Sequence, residues 1–242
     1  YYFELSIQQN NMYAQYIYGI LYYNGLVVNQ DINKSIYYLT LSSDQNNPHA
    51  QLFLGKIYYD GIYVQKDIHK SIHYLELSSK SNQSEAQYLL GYIYLTEKEF
   101  QENINLSIKY LQLSAENFQP KALYLLGVIY YYSVKYIQRD ITKSIKYFKE
   151  SSNLNNSFAK NFLGIIYKNG DGVEKNIYCA IDYFEQAIRN DGCLFALYNL
   201  SRIYYFGEGV EKNVNQSINY LKIAADKGLK PAILFLSFIF WH

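Results

Sequence analysis

One pattern constrains this chain before any other: it repeats itself every 36 or 37 residues. An alanine recurs at Ala14, Ala50, Ala86, Ala122, Ala159, Ala196 and Ala232. Five residues on stand Gly19, Gly55, Gly91, Gly127 and Gly164, then Ser201 and Ser237. Eight residues on stand Tyr22, Tyr58, Tyr94, Tyr130, Tyr167 and Tyr204, then Phe240. Self-similarity at this period marks an array of small units, each burying its apolar face on its neighbours instead of in one central core. The pattern overrides the one or two globular domains that 242 residues would otherwise suggest.

Each unit reads as two helices. In "AQLFLGKIYYDG" (50–61) the recurring residues fall at offsets 0, +4, +7 and +8 from the alanine, one stripe of a helix. The small residue at +5 lets another helix approach closely. Gly25, Gly61, Gly170 and Gly207 stop the first helix. Asp31, Asp67, Asn103, Asp140, Asn176 and Asn213 then stand where a second helix begins and suit its N-cap. That helix keeps a small residue (Ser35, Ser71, Ser107, Ser144, Ala180, Ser217), an aromatic and a second small pair. Alanine at 180 implies that size matters there, so these serines are packing residues and not nucleophiles.

The frame Ala-x-x-x-Leu-Gly-x-x-Tyr-x-x-Gly-x-Gly-Val, followed by Asp or Asn and then Ser/Ala-x-x-Tyr, resembles the Sel1-like repeat, a family related to tetratricopeptide repeats. "LGIIYKNGDGVEKN" (163–176) with "AIDYFEQA" (180–187) matches it most fully, and "KPAILFL" (230–236) has the usual approach to the next alanine. The resemblance covers essentially the whole chain. It implies an all-α fold, a right-handed α/α superhelical solenoid of helix-turn-helix repeats. The expected boundaries are a partial repeat at 1–9, full repeats at about 10–45, 46–81, 82–117, 118–154, 155–191 and 192–227, and a partial repeat at 228–242. Both ends fall inside a repeat, which reads as part of a longer array, so the chain's own ends say nothing of a targeting signal or anchor. The turns of the third and fourth repeats depart from the frame. "IYLTEKEFQEN" (93–103) has Glu97 at the glycine stop, and "IYYYSVKYIQRD" (129–140) has Ser133 and one inserted residue, so looser turns are expected. A further insertion lies in "IRNDGCLFA" (188–196).

Several chemistries are disfavoured. The glycines of "FLGIIYKNGDGVEKN" (162–176) close a helix, whereas a phosphate loop leads from a strand into a helix N-terminus. Asp171 and Glu174 supply too few oxygens for calcium. His69 and His73 stand at i, i+4, but the equivalent positions are mostly polar and no third ligand is evident, so no metal and no cofactor are expected. No His–Ser or His–Cys spacing suggests a catalytic triad. The net charge of +1, spread along the chain, lacks the basic face of a nucleic-acid binder. Cys179 and Cys193 are read as free thiols near opposite ends of one helix, about 20 Å apart at 1.5 Å per residue. The apolar run Ala232–Trp241 is far shorter than the roughly 20 residues that span a bilayer. Asn-x-Ser sites at Asn33, Asn82, Asn105, Asn155, Asn199 and Asn215 establish no compartment, three being made by the repeat itself. The cytoplasm is the expected location, with the lumen of the endoplasmic reticulum as the alternative.

Thirty tyrosines remain to be explained. Opposite the constant stripe lie offsets +2, +6 and +9, which hold Tyr16, Tyr23, Tyr59, Tyr88, Tyr92, Tyr124, Tyr131, Tyr198 and Tyr205. In related solenoids the first helices line the concave face, and large amphipathic rings suit protein contacts. These tyrosines are the candidate partner-binding residues; packing between repeats is the competing explanation. Offset +3 is unusually apolar (Ile17, Phe53, Leu89, Leu125, Phe162, Phe235, with Asn199 the exception). Either the groove is apolar or the helices are rotated deeper into the core.

The expected function is a non-enzymatic scaffold that holds protein or peptide partners on its first-helix face. The resemblance implies adaptors in signalling, in quality control at the endoplasmic reticulum or in host–microbe contact. The alternative is a regulatory or docking region of a larger signalling enzyme such as a protein kinase. Direct catalysis resembling the cysteine-rich β-lactamase branch is disfavoured, since that branch carries a cysteine pair in every repeat.

Overall fold

The computed structural model describes residues 2–100, 102–134 and 137–241, with side chains from residue 5 onward and excluding those of 190 and 191. The described residues form helices and no strand. Contacts divide the chain into two units, Tyr1–Gln119 and Pro120–His242. The first holds α1 (Tyr2–Gln8), α2 (Met12–Asn24), α3 (Ile32–Asp44), α4 (Pro48–Asp60), α5 (Ile68–Lys80), α6 (Ser84–Thr96) and α7 (Ile104–Glu116). The second holds α8 (Pro120–Tyr132), α9 (Ile141–Asn153), α10 (Ser157–Asn169), α11 (Ile177–Asp191), α12 (Leu194–Phe206), α13 (Val214–Asp226) and α14 (Lys230–Trp241). From α2 onward even-numbered helices are the first helices of repeats, and odd-numbered ones pack back against them. Within each unit every such hairpin then packs on the next, the all-α arrangement of a repeat solenoid.

The hairpin closes around the small residue at +5. A Cβ on Gly19, Gly55 or Gly91 would meet Leu39, Leu75 or Leu111 closer than 3 Å, and one on Gly127 or Gly164 would meet the rings of Phe148 or Phe184. Each of those large side chains is fully buried. The serines of the second helix do more than fill space. Ser71, Ser107 and Ser144 donate through Oγ to the carbonyls of Gly55, Gly91 and Gly127 at 2.8, 2.7 and 2.9 Å. The expectation that size alone matters is thus incomplete, because a helix pair this close brings a hydroxyl within reach of the facing main chain. Ser35 and Ser217 fit the size-only reading, since their buried Oγ atoms have no partner among the described residues. The later serines Ser42, Ser78, Ser114 and Ser151 donate to the carbonyls of Met12, Pro48, Ser84 and Pro120 at the other end of the hairpin.

The turn between the two helices is fastened at both ends. Gly25, Gly61, Gly170 and Gly207 take the left-handed conformation that ends the first helix, and Ser133 takes it in the fourth repeat with φ 57°. The main-chain N–H groups of Asp31, Asp67, Asp140, Asn176 and Asn213 donate back to the carbonyls of Tyr22, Tyr58, Tyr130, Tyr167 and Tyr204. Their side chains then cap the second helix. Asn103 does not cap, contrary to expectation. The third repeat turns through a short 3-10 helix, Lys98–Phe100, which leaves Asn103 at φ −92°, ψ 34° instead of the extended backbone an N-cap needs. This turn is held by Lys66–Glu97 at 2.9 Å, His69–Glu99 at 3.1 Å, and Phe100 against Tyr94 and His69. In the fourth repeat residues 135 and 136 of the expected irregular turn lie outside the described residues.

Two further features were not apparent from the repeat frame. Beyond each second helix one residue has positive φ: Asn10, Asn46, Asn82, Phe118, Asn155, Gly192 and Gly228. Asparagine occurs where a long polar side chain follows five residues later, at Gln15, Gln51, Gln87 and Lys160, all buried. Asn10, Asn82 and Asn155 accept from Gln15, Gln87 and Lys160. Where that follower is Leu123, Leu197 or Ile233 there is nothing to accept from, and the asparagine is absent. Phe118, at φ 55° and 74% exposed, therefore bears the steric cost of the left-handed region without a compensating bond. Phe118→Gly is expected to stabilise the chain by about 1 kcal/mol, the left-handed penalty less the flexibility glycine adds to the unfolded chain. An unchanged or lower urea midpoint would contradict this.

Cys193 also lies elsewhere than expected. Helix α11 runs on to Asp191, absorbing the insertion, and Gly192 ends it. Cys193 is thus a buried N-cap residue of α12 and not part of the helix that carries Cys179; neither cysteine is in a disulfide.

Candidate functional site

The tyrosines separate into two sets by what they touch. At offset +8 each ring lies parallel to a tyrosine of the second helix: Tyr22 on Tyr38, Tyr58 on Tyr74, Tyr94 on Tyr110, Tyr130 on Tyr147, Tyr167 on Tyr183 and Tyr204 on Tyr220, with centroids 5.6–6.0 Å apart. Lys34, Lys70 and Lys143, each paired to the cap Asp three residues earlier, place their ammonium groups over Tyr22, Tyr58 and Tyr130. This set closes each hairpin.

The candidate residues form the other set, along the first helices. All are half-buried. In the first unit Tyr16 lies beside His49, and Tyr23 makes edge contacts with Phe53 and Tyr63. Tyr59 faces Tyr92, which leans on Tyr88, and the Lys66 ammonium sits 4.8 Å from the Tyr59 ring. In the second unit Tyr124 is wedged among Phe148, Phe158 and Phe162. Tyr131 rests against Tyr132 and Phe162, with Arg139 over its ring. Tyr198 and Tyr205 both touch Phe235, with Arg202 and Lys212 over their rings.

These contacts resolve the question of offset +3. Phe53, Phe162 and Phe235 sit at the junction with the preceding first helix, beneath its +2 or +9 ring. The helices are rotated so that +3 faces the neighbouring repeat. A cation over the +9 ring was the feature missed from sequence. Aligning the residues seven or eight beyond Tyr59, Tyr131 and Tyr205 would have shown Lys66, Arg139 and Lys212.

Asp171, in the glycine turn of the fifth repeat, accepts a 2.6 Å hydrogen bond from the Tyr131 hydroxyl and a longer one from Asn169. Burial first, and then the Asp171 carboxylate, hold the Tyr131 phenol well above its ordinary value of 10.0. Burial also raises Tyr16, Tyr23, Tyr59 and Tyr124. A phenol whose folded pKa exceeds its unfolded pKa contributes its full stabilisation below the unfolded value and loses it as pH climbs through the folded one. Stability is therefore expected to hold up to about pH 10 and to fall above it. Tyr131→Phe is expected to cost about 1 kcal/mol at neutral pH through the lost hydrogen bond, and to flatten the alkaline fall. Urea midpoints from about pH 8 to about pH 11 would measure both, and an unchanged alkaline slope would contradict the assignment.

The site can bind flat or amphipathic surfaces, with ring faces and phenol oxygens flanked by cations. Among the described residues no three His, Cys, Asp or Glu side chains gather as a metal site would require. Nor is any helix long and apolar enough to cross a membrane among them.

The model of the Sel1 repeat matches residues 13–47, 48–82, 84–117, 120–156, 157–192 and 194–229. No curated protein matches the sequence. Among solved structures the chain is similar to a protective antigen of uropathogenic Escherichia coli displaying an SLR fold, at 22% identity and a TM-score of 0.87. That alignment covers 98% of this chain but 50% of the antigen, so this chain spans half of that protein's length. It is similar also to a Sel1 repeat protein from Oxalobacter formigenes, at 26% identity and a TM-score of 0.81, covering 90% of this chain and 89% of the other. A likeness to an immunity protein of Pseudomonas aeruginosa, at 17% identity and a TM-score of 0.56, covers 91% of this chain and 83% of that one and concerns the fold alone. With its repeats matched along most of its length, its hairpins closed on the small residue at +5 and its turns ended by glycine, the chain belongs to the Sel1 repeat family.

Proposed function

We propose that the chain is a non-catalytic scaffold that holds segments of partner proteins on its first-helix face. The site would comprise Tyr16, Tyr23, Tyr59, Tyr88 and Tyr92 in the first unit, and Tyr124, Tyr131, Tyr198 and Tyr205 in the second. Membership of a family whose repeats generally serve protein interaction supports the reading. The observation that carries it is the state of these rings: half exposed, yet held by neighbouring rings and cations. A ring already fixed in place loses little side-chain entropy when a partner covers it, and buries a large area.

Partner capture by the wild-type chain, by Tyr88→Ala/Tyr92→Ala and by Tyr198→Ala/Tyr205→Ala tests the reading. These pairs avoid Tyr124, whose surrounding phenylalanines make it part of the packing. Loss of partners from a variant with unchanged helical content would support the first-helix face. Identical partners from folded variants would move the site to the second helices or the turns.

A further inference from the structure

At the junction of α10 and α12 the first-helix face changes its chemistry. At other junctions of this unit the +2 ring of one repeat rests on the +3 ring of the next, as Tyr124 does on Phe162 and Tyr198 on Phe235. Here both places hold asparagine, and Asn199 Nδ2 donates to Asn161 Oδ1 at 3.0 Å. The +9 position changes with them. Where Tyr131 bonds to Asp171 one repeat earlier, Lys168 pairs with Glu208 at 3.6 Å. An apolar junction has been exchanged for a matched polar one.

That exchange leaves donors unused. Asn161 is only 5% exposed, and its Oδ1 is committed to Asn199. Its Nδ2 has no acceptor among the described residues. Arg202 lies three residues beyond Asn199 and four beyond Tyr198, on the same face of α12. Its guanidinium stands over the Tyr198 ring at 6.0 Å and has no carboxylate partner among the described residues. Lys168, by contrast, is already neutralised by Glu208. A nearly buried amide donor on α10, bonded to Asn199, and a guanidinium one helical turn beyond Asn199 on α12 call for two acceptors, one of them anionic.

We propose that the face of α10 and α12 takes an acidic protein segment, with the carboxylate of an internal Asp or Glu side chain on the Arg202 guanidinium and a main-chain carbonyl of the same segment on Asn161 Nδ2. The inference rests on the scaffold reading above and adds the chemistry of the partner. The fork of Arg202 matches a carboxylate in two parallel hydrogen bonds, and its stacking on Tyr198 limits the freedom lost on binding.

The test uses the whole chain and fluorescent peptide pools, acetylated and amidated at their ends, with Glu or Gln at one fixed central position. The Glu pool is expected to bind about tenfold more tightly than the Gln pool, a difference of ~1.4 kcal/mol that narrows as salt is raised. Arg202→Gln is expected to erase that preference by weakening the Glu pool about tenfold more than the Gln pool. Equal binding of the two pools, lost in Tyr198→Ala/Tyr205→Ala, would overturn the acidic partner and keep the scaffold. Tighter binding of a Gln pool with a free C-terminal carboxylate would overturn the internal side chain as the source of charge. An equal loss of both pools in Arg202→Gln would overturn the role given to the guanidinium. No binding of any pool would overturn both readings.

Discussion

Gly164→Ala is expected to destabilise the chain by about 2 kcal/mol, a large effect for one added methyl group. The new Cβ would lie 2.5–2.8 Å from three ring carbons of Phe184, which is fully buried and has no space to retreat into. A leucine in that place would be approached as closely, since a Cβ on Gly55 would lie 2.7 Å from Leu75, but its branched side chain can turn aside where a planar ring cannot. In the sixth repeat Ser201 stands at the same position opposite Leu221, and both are fully buried. Shortening the ring should therefore relieve the clash. Phe184→Leu alone is expected to cost about 1 kcal/mol for the space it opens, whereas Gly164→Ala/Phe184→Leu should cost about 1 kcal/mol less than the sum of the two single changes. Urea unfolding of the four proteins forms the cycle, and additive costs would show that the helix pair yields by moving apart instead.

The second expectation concerns Phe148, which holds the underside of Tyr124 and Phe162 in the second unit. Phe148→Ala is expected to cost about 4 kcal/mol, the loss of a fully buried ring plus the cavity it leaves. Phe148→Leu reproduces the side chain found at this position in the earlier repeats, Leu39, Leu75 and Leu111, and should cost about 1 kcal/mol. Because repeats contact only their neighbours, the loss should be local. Hydrogen exchange is expected to accelerate in α8, α9 and α10 while α2 to α5 keep their protection. Uniform loss of protection along the chain would mean that the array unfolds as a single cooperative body.

The helical hairpin and its stops were legible because they depend on short-range patterns. Apolar residues at 0, +4 and +7 define one face of a helix whatever surrounds it, and Ala50, Leu54 and Ile57 are buried as that periodicity requires. Gly61 and Asp67 mark the turn through their own backbone preferences, left-handed for the first and extended for the second. The same logic failed at Asn103, where a residue of the right type sits on a backbone that the preceding 3-10 helix has turned away from capping geometry.

The sequence by itself determined the repeat, the two helices of each unit, their terminators and the small residue that lets them close. Only the tertiary structure decided which aromatic ring meets which. It divided the tyrosines into stacked pairs that close each hairpin and half-exposed rings on the first helices. It set Arg202 over Tyr198 and bonded Asn199 to Asn161. The reason is physical. Helical periodicity is encoded within a single turn, but the rotation of one helix against the next is set by side chains more than thirty residues apart, and a small rotation moves offset +3 from the groove to the junction between repeats.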